Sequence, residues 1–166
     1  MTRVEARIAA AALERGEAQA FMSLIEEAHG PNSYVSLLGL KTFDSDKLVK
    51  SVERGLSFHT FERFQRTVGV ASSVITDVMD LAARTFTRRR KKGRLSRDES
   101  DKLLRITRLF ANALVLFEGN TAAARQWLSS PQRAAGGAVP LELARTEVGA
   151  REVERLLGRM EHGVVS

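Results

Sequence analysis

The chain has 166 residues, 43% of them apolar and 28% charged, which suits a soluble globular protein of one domain or two very small ones; with no Cys, disulfides, thiolate catalysis and the commonest zinc sites are excluded. The net charge of +6 has one source: Arg84 to Arg97 holds eight basic and no acidic residues, and the 18 basic and 20 acidic residues elsewhere leave the rest slightly acidic. No apolar run nears the roughly 20 residues of a membrane span, and Met1-Thr2-Arg3-Val4-Glu5 does not open a secretory signal, so a cytoplasmic protein is expected.

Residues 3–28 place Val4, Ile8, Ala11, Ala12, Ala18, Phe21, Met22 and Ile25 at near-helical spacing before His29-Gly30-Pro31. This predicts an amphipathic helix stopped by Gly and Pro. Its apolar face suits a core or an interface, and Phe21, Met22 and Ile25 are candidates for a dimer contact. Tyr34 to Phe43 is apolar but aperiodic, an ordered linker with room for a short strand. Ser45 is placed to cap a helix over 46–54 ended by Gly55, and Ser57 one over 58–68 ended by Gly69. Phe58, Phe61 and Phe64 share one side of the second helix and belong in a core. His59 stands alone there, and a lone helical His is far more often packed or solvated than catalytic.

From Ser72 to Lys92 the spacing is that of a helix-turn-helix. Ile75, Val78 and Met79 face inward, Leu81 plugs a tight turn, and Phe86 packs from a second helix. A frame one helix earlier puts Gly69 and Val70 in the turn and presents Thr76, Asp77 and Asp80 to DNA. Carboxylates facing phosphates are repelled, so charge favours the later frame, although that frame puts Arg89 where a buried apolar residue is usual. In it, Arg84, Thr85, Thr87 and Arg88 lie near the N-terminus of the second helix, where base edges are read. Lys91, Lys92 and Arg94 are placed to hold phosphates. Taken alone, the run Arg88-Arg89-Arg90-Lys91-Lys92 also suits a solvated helix end, cations favoured by the helix C-terminus, or an unspecific polyanion patch.

Gly93 ends that helix, and Ser96-Arg97-Asp98-Glu99 is a capping box opening a long helix to about Phe117. Leu103, Ile106, Phe110, Ala113, Leu114 and Phe117 form its stripe, suited to one core shared by both halves. A short helix carrying Trp127, the chain's only Trp, comes next. After it come a Pro/Gly-rich loop from Pro131 to Gly137, with the length of a fixed turn or a lid, a one-turn helix begun by Pro140, and a final helix capped by Thr146. The fold expected is therefore all-α. It divides into an N-terminal helix and linker (1–44), a helix-turn-helix region (45–97), and a connecting helix with a small helical C-terminal domain (98–166).

Catalysis has little support. His29, His59 and His162 are far apart, without metal-ligand spacing. The acids Glu152, Glu154 and Glu161 share a helix with Arg151, Arg155 and Arg159, a pattern of surface ion pairs. Gly136-Gly137 is not a phosphate loop, since no strand precedes it and no Lys-Ser/Thr comes after it. No cofactor or metal is called for, and an enzyme is not expected.

The last third carries several motifs in close order: Ala-x-x-Trp-Leu at 124–128, Gly-Gly-x-x-Pro-Leu-Glu-Leu at 136–143, Thr-x-x-Gly at 146–149, and Leu-Gly-Arg-x-Glu-x-Gly-Val at 157–164. Over about fifty residues this resembles the C-terminal toxin-binding domain of the Xre/ParS/MbcA antitoxins. The resemblance implies an antitoxin partnered with a RES-domain toxin, an enzyme that consumes NAD or transfers ADP-ribose, and often repression of the antitoxin's own operon. It implies that Trp127, Leu141 and Leu143 supply apolar docking area. It also implies that Arg155, Arg159, Glu161 and Val164 at the chain's end meet the toxin and occlude its NAD pocket, although a frayed tail is the default for any terminus. Operator DNA, a homodimer and a hetero-oligomer with toxin are the implied assemblies, with no membrane. The other reading is a stand-alone helix-turn-helix repressor whose C-terminal domain only dimerises.

Overall fold

The computed structural model describes residue 16 and residues 18–24, 32–41 and 44–163. Over these residues the fold is all-α, and extended pairing is limited to an isolated antiparallel bridge between Ser57 and Arg94. The helices are α1 (Ser45–Arg54), α2 (Phe58–Val68), α3 (Ser72–Val78), α4 (Ala83–Lys92), α5 (Arg97–Leu116), α6 (Thr121–Ser129), α7 (Pro140–Leu143) and α8 (Glu147–Glu161), with 3-10 helices at Ser33–Leu38 and Arg133–Ala135.

Most of the helix expected over 3–28 lies outside the described residues; residues 18–24 are helical. Ala18 and Phe21 are buried in the common core and Met22 packs against it. Buried Phe21 is thereby unavailable for the dimer contact expected of it, Met22 is half-buried, and Ile25 lies outside the described residues. The stretch expected as a linker with room for a strand is instead the 3-10 helix Ser33–Leu38, with Val35, Leu37 and Leu38 buried. It packs between α2 and α5. With no strand beside it, its backbone is satisfied locally by i→i+3 bonds.

α1 starts one residue before its expected bound, because Asp44 rather than Ser45 is the N-cap and its carboxylate accepts from Lys47 N at 2.9 Å. The Ser45 hydroxyl accepts from Asn32 Nδ2 at 3.0 Å instead. In α2, Phe58, Phe61 and Phe64 are buried, and Phe64 meets Phe110 of α5 edge-on with ring centroids 5.5 Å apart. α5 is the spine, packing on α1, α2, the first 3-10 helix, α6 and α8. Because it is enclosed, its buried face is wider than the apolar stripe and takes in Ser100 and Thr107. Both hydroxyls are satisfied: Thr107 Oγ1 donates to Leu103 O (2.7 Å), while Ser100 Oγ donates to Ser96 O (2.6 Å) and accepts from Leu56 N (2.8 Å).

Three helices end on a cation from a different element. Arg94, after α4, donates through Nη1 to the carbonyls of Arg54 and Gly55 at the end of α1 (3.2 and 2.6 Å). Arg125 of α6 donates to Val68 O and Gly69 O at the end of α2 (3.1 and 3.0 Å), and Lys102 of α5 to Met79 O at the end of α3 (2.8 Å). Each supplies hydrogen bonds and positive charge where the helix leaves carbonyls unpaired. The 55–58 and 93–95 segments also pair, Leu95 N to Leu56 O and Phe58 N to Gly93 O, both at 2.9 Å. Gly55, at φ +81, is required there, since a Cβ would lie 2.1 Å from Leu95 O.

Toward the C-terminus, Asn120 and Thr146 cap α6 and α8 through their side chains, and Pro140 is at the start of α7. The 131–138 loop is a fixed turn rather than a lid. Gln132 Nε2 donates to Trp127 O and Ser130 O (2.8 and 3.1 Å), and the backbones of Gln132 and Ala138 bond at 3.0 Å. Two arginines of α5 clamp α8: Arg105 reaches Glu147 at 3.1 Å and Arg145 O at 3.1 Å, and Arg108 bonds Glu154 and lies 3.5 Å from Glu147. Burial works against the charge on Arg108, but Glu154 and then Glu147 outweigh it and hold its pKa above the ordinary guanidinium value.

Two stability changes are expected. A Cβ at Gly149 would lie 1.9 Å from Leu143 O, so Gly149→Ala must push α7 off α8 and should cost about 1–3 kcal/mol, read as a lower urea midpoint. Arg108→Ala strips half-buried Glu154 of its main partner. Because the Arg108 side chain is 32% exposed, the expected loss is about 1–2 kcal/mol, below that of a buried charged hydrogen bond.

Candidate functional site

Two surfaces stand out. The first is the outer face of α4. α3 and α4 meet through a turn with Asp80 at φ 52 and Leu81 buried beneath it. Ile75, Val78 and Met79 are buried, and Phe86 packs on the core from α4. Buried Leu81 and the packing of Phe86 are what the later frame expects, whereas buried Ile75 and Val78 belong to both frames and Asp77 and Asp80 are exposed, as the earlier one has them. In the earlier one, Thr76 was to face outward, but it is buried and its Oγ1 donates to Ser73 O at 3.0 Å.

Arg84, Thr87, Arg88 and Lys91 are exposed at i, i+3, i+4 and i+7, one stripe of α4, with exposed Lys92 beside it and half-buried Thr85 at its edge. Thr87 Oγ1 donates to Ala83 O at 3.1 Å. No acid lies on α4, so the stripe is uniformly positive and shaped like a rod. Arg94, assigned to phosphate from the sequence, is engaged with the carbonyls that end α1; its position after the helix, beside the 55–58 segment, takes it out of the stripe.

The back of α4 explains the anomalous Arg89. Its Nε donates to both oxygens of Glu99 (2.9 and 2.7 Å), and the two side chains are only 19% and 11% exposed. Glu99 also accepts from Ser96 N at 2.7 Å while its own N–H bonds Ser96 Oγ, so the expected capping box is formed and carries an ion pair as well. Arg90, read from the sequence only as part of the basic run, lies over the rings of Phe86 and Phe58, 5.1 and 5.7 Å from their centroids. Its place four residues after Phe86 was the available signal, since i,i+4 side chains on a helix are neighbours.

The second surface is formed by α6, α7 and α8. Trp127 is half-buried and borders a shallow depression of about 290 Å³ with Phe117, Ala123, Gln126, Ser130 and Gln132. Leu143 is half-buried, but Leu141, expected on the docking face, is buried: the single turn of α7 points Pro140 and Leu141 into the core. Val148, which the sequence pattern did not single out, is 81% exposed at the start of α8. Arg155, Arg159 and Glu161 are exposed along α8. Glu152 lies 3.3 Å from Arg155 and 3.8 Å from Arg159, loose pairs that leave both guanidinium groups open to another partner. Val164 lies outside the described residues.

Elsewhere, a groove of about 700 Å³ between α1 and α5 is edged by three acids (Glu53, Asp98, Asp101) and three bases (Arg97, Lys102, Arg105), which gives it no charge preference. Among the described residues no group of three or more His, Asp or Glu side chains is placed to share a metal ion, and no helix is long and apolar enough to cross a membrane.

Comparison with known proteins falls on these two surfaces. Residues 47–108 match the family described as the Antitoxin Xre-like helix-turn-helix domain, and residues 112–163 the Antitoxin Xre/MbcA/ParS C-terminal toxin-binding domain. The chain is 34% identical over 130 residues to "Antitoxin Xre" of Yersinia enterocolitica and 31% identical over 130 residues to that of Photorhabdus laumondii; each alignment covers 78% of this chain and 88% of the relative. A Pseudomonas putida protein of the same name is 35% identical over 69 residues, 42% of this chain and 43% of its own. With a helix-turn-helix and a toxin-binding domain in this order, and relatives matched over most of their length, the chain belongs to the Xre/MbcA/ParS antitoxin family.

Proposed function

We propose that this antitoxin neutralises a RES-domain toxin by laying its last helix and tail across the toxin's NAD pocket, and that it represses its own operon as a homodimer. The observation that carries the reading is the separation of the two surfaces. α4 exposes Arg84, Thr87, Arg88, Lys91 and Lys92 without an acid, whereas α8 exposes Arg155, Arg159 and Glu161 beside the half-buried apolar residues Trp127 and Leu143. Arg84, Thr85, Thr87 and Arg88 read bases and Lys91 and Lys92 hold phosphates. A second copy supplies the other recognition helix, since helix-turn-helix proteins read paired half-sites. Neutralisation is occlusion: Trp127, Leu143 and Val148 supply apolar area, and Arg159, whose planar fork suits carboxylates, enters the pocket. The antitoxin contributes no chemistry of its own.

For DNA, Arg84→Ala or Arg88→Ala should weaken operator binding by roughly 1–3 kcal/mol each. The pair Lys91→Ala and Lys92→Ala should weaken all duplexes alike and flatten the salt dependence. Toxin neutralisation should survive both, which gel shifts and growth rescue together would check.

For the toxin, binding and inhibition should come apart. Ending the chain after Gly158 keeps buried Leu156 and Leu157 and removes only the last three residues of α8 and the tail beyond them. This truncation should fold and bind toxin, yet no longer stop NAD consumption at saturating antitoxin. Arg159→Ala should lose roughly 1.5–3 kcal/mol of binding if its hydrogen bonds are buried in the complex. Full inhibition by the folded truncation would rule out the plug and leave distortion or another segment as the mechanism.

A further inference from the structure

α4 contributes no fully buried side chain to the core, so the helix that carries the cationic stripe has little apolar anchorage of its own. Its back rests on three neighbours. With 3.6 residues per turn, Arg89 lies about 60° to one side of Phe86 and Arg90 about 40° to the other. Phe86 packs against Phe58 and Phe61, with centroids 5.2 and 5.1 Å away. Arg89 is held by the Glu99 carboxylate through Nε, and Arg90, itself exposed, covers the Phe58 and Phe86 rings.

We propose that Arg89 and Arg90 are positioning residues: they do not take phosphates but fix the roll of α4, so that base readout depends on the Glu99 carboxylate and the Phe58–Phe86 rings behind the helix. The inference rests on the DNA-binding reading above and deepens it. Roll matters because on a helix about 5–6 Å in radius a turn of about 20° moves a side-chain tip by about 2 Å. Hydrogen bonds to a base edge tolerate only about 0.5 Å. A phosphate contact by a long, flexible Lys tolerates far more. A loosened mount therefore reduces discrimination while leaving general affinity nearly intact.

The test measures binding, by fluorescence anisotropy across a salt series, to a duplex from upstream of the chain's own coding sequence and to a scrambled duplex of equal length. Glu99→Gln is the central variant, because Gln at that position still completes a capping box. It also removes a negative charge, which by electrostatics alone would tighten binding to every duplex. The mount predicts instead that the ratio of specific to scrambled affinity falls by roughly tenfold, with the salt slope unchanged. Arg89→Gln and Arg90→Gln should do the same, and Arg89→Lys should recover part of the ratio. Should Arg89→Gln weaken both duplexes equally and lower the salt slope by about one, Arg89 is a phosphate contact and the proposal is overturned. It is overturned too if Glu99→Gln tightens both duplexes alike. Thermal melts identify any variant that is simply unfolded; if Glu99→Gln is one, Arg90→Gln, which leaves the rings and the capping box in place, decides. Failure of the DNA reading itself would show in the unaltered protein, as equal affinity for the two duplexes.

Discussion

A helix as short as α3, seven residues from Ser72 to Val78, has four N–H and four C=O groups at its ends with no partner inside it. Its stability therefore depends on what meets those ends. In this molecule the carbonyl ends of α1, α2 and α3 meet Arg94, Arg125 and Lys102, each from another element. The N-termini of α1, α2, α5, α6 and α8 meet the side chains of Asp44, Ser57, Ser96, Asn120 and Thr146. Propensity alone does not hold helices of this length in water, so the contacts at the ends also place the helices relative to one another.

The same residues join the two halves. Lys102 leaves the spine helix for the turn of the helix-turn-helix, while Arg105 and Arg108, one and two turns on, grip α8. Arg125, two residues before Trp127, reaches back to α2. Buried side chains from both halves accordingly form a single cluster, and α5 packs on helices of both.

What could be read from the sequence was local. The capping box at Ser96, the Thr146 cap, the Pro140 start and the inward faces of α2 and α5 all depend on residues within a turn or two. Ser45 was expected to cap α1, but Asp44 takes that place and the Ser45 hydroxyl accepts from Asn32. The residues misjudged or missed were those with distant partners. Arg89 appeared misplaced because Glu99 is ten residues on, and the carbonyls that Arg94 caps went unseen because they are some forty residues back. Leu141 was given to a partner by the family resemblance, and one helical turn is too short for periodicity to reveal which side is buried. The 3-10 helix at Ser33–Leu38 escaped for a similar reason: all its buried residues answer to helices met later in the chain.

The pairing of Leu56 with Leu95 closes the recognition unit on itself. The chain arrives at α2 and departs from α4 at one place, and between those points the rest of the molecule grips carbonyls at helix ends (Val68, Gly69 and Met79) and inward side chains, Phe64 against Phe110 and Arg89 against Glu99. None of these grips uses Arg84, Thr87, Arg88 or Lys91. The residues exposed on α4 are therefore at liberty to diverge while the body that bears Trp127 and α8 stays as it is. The exposed stripe of α4 and the surface around Trp127 and α8 can therefore vary independently of each other.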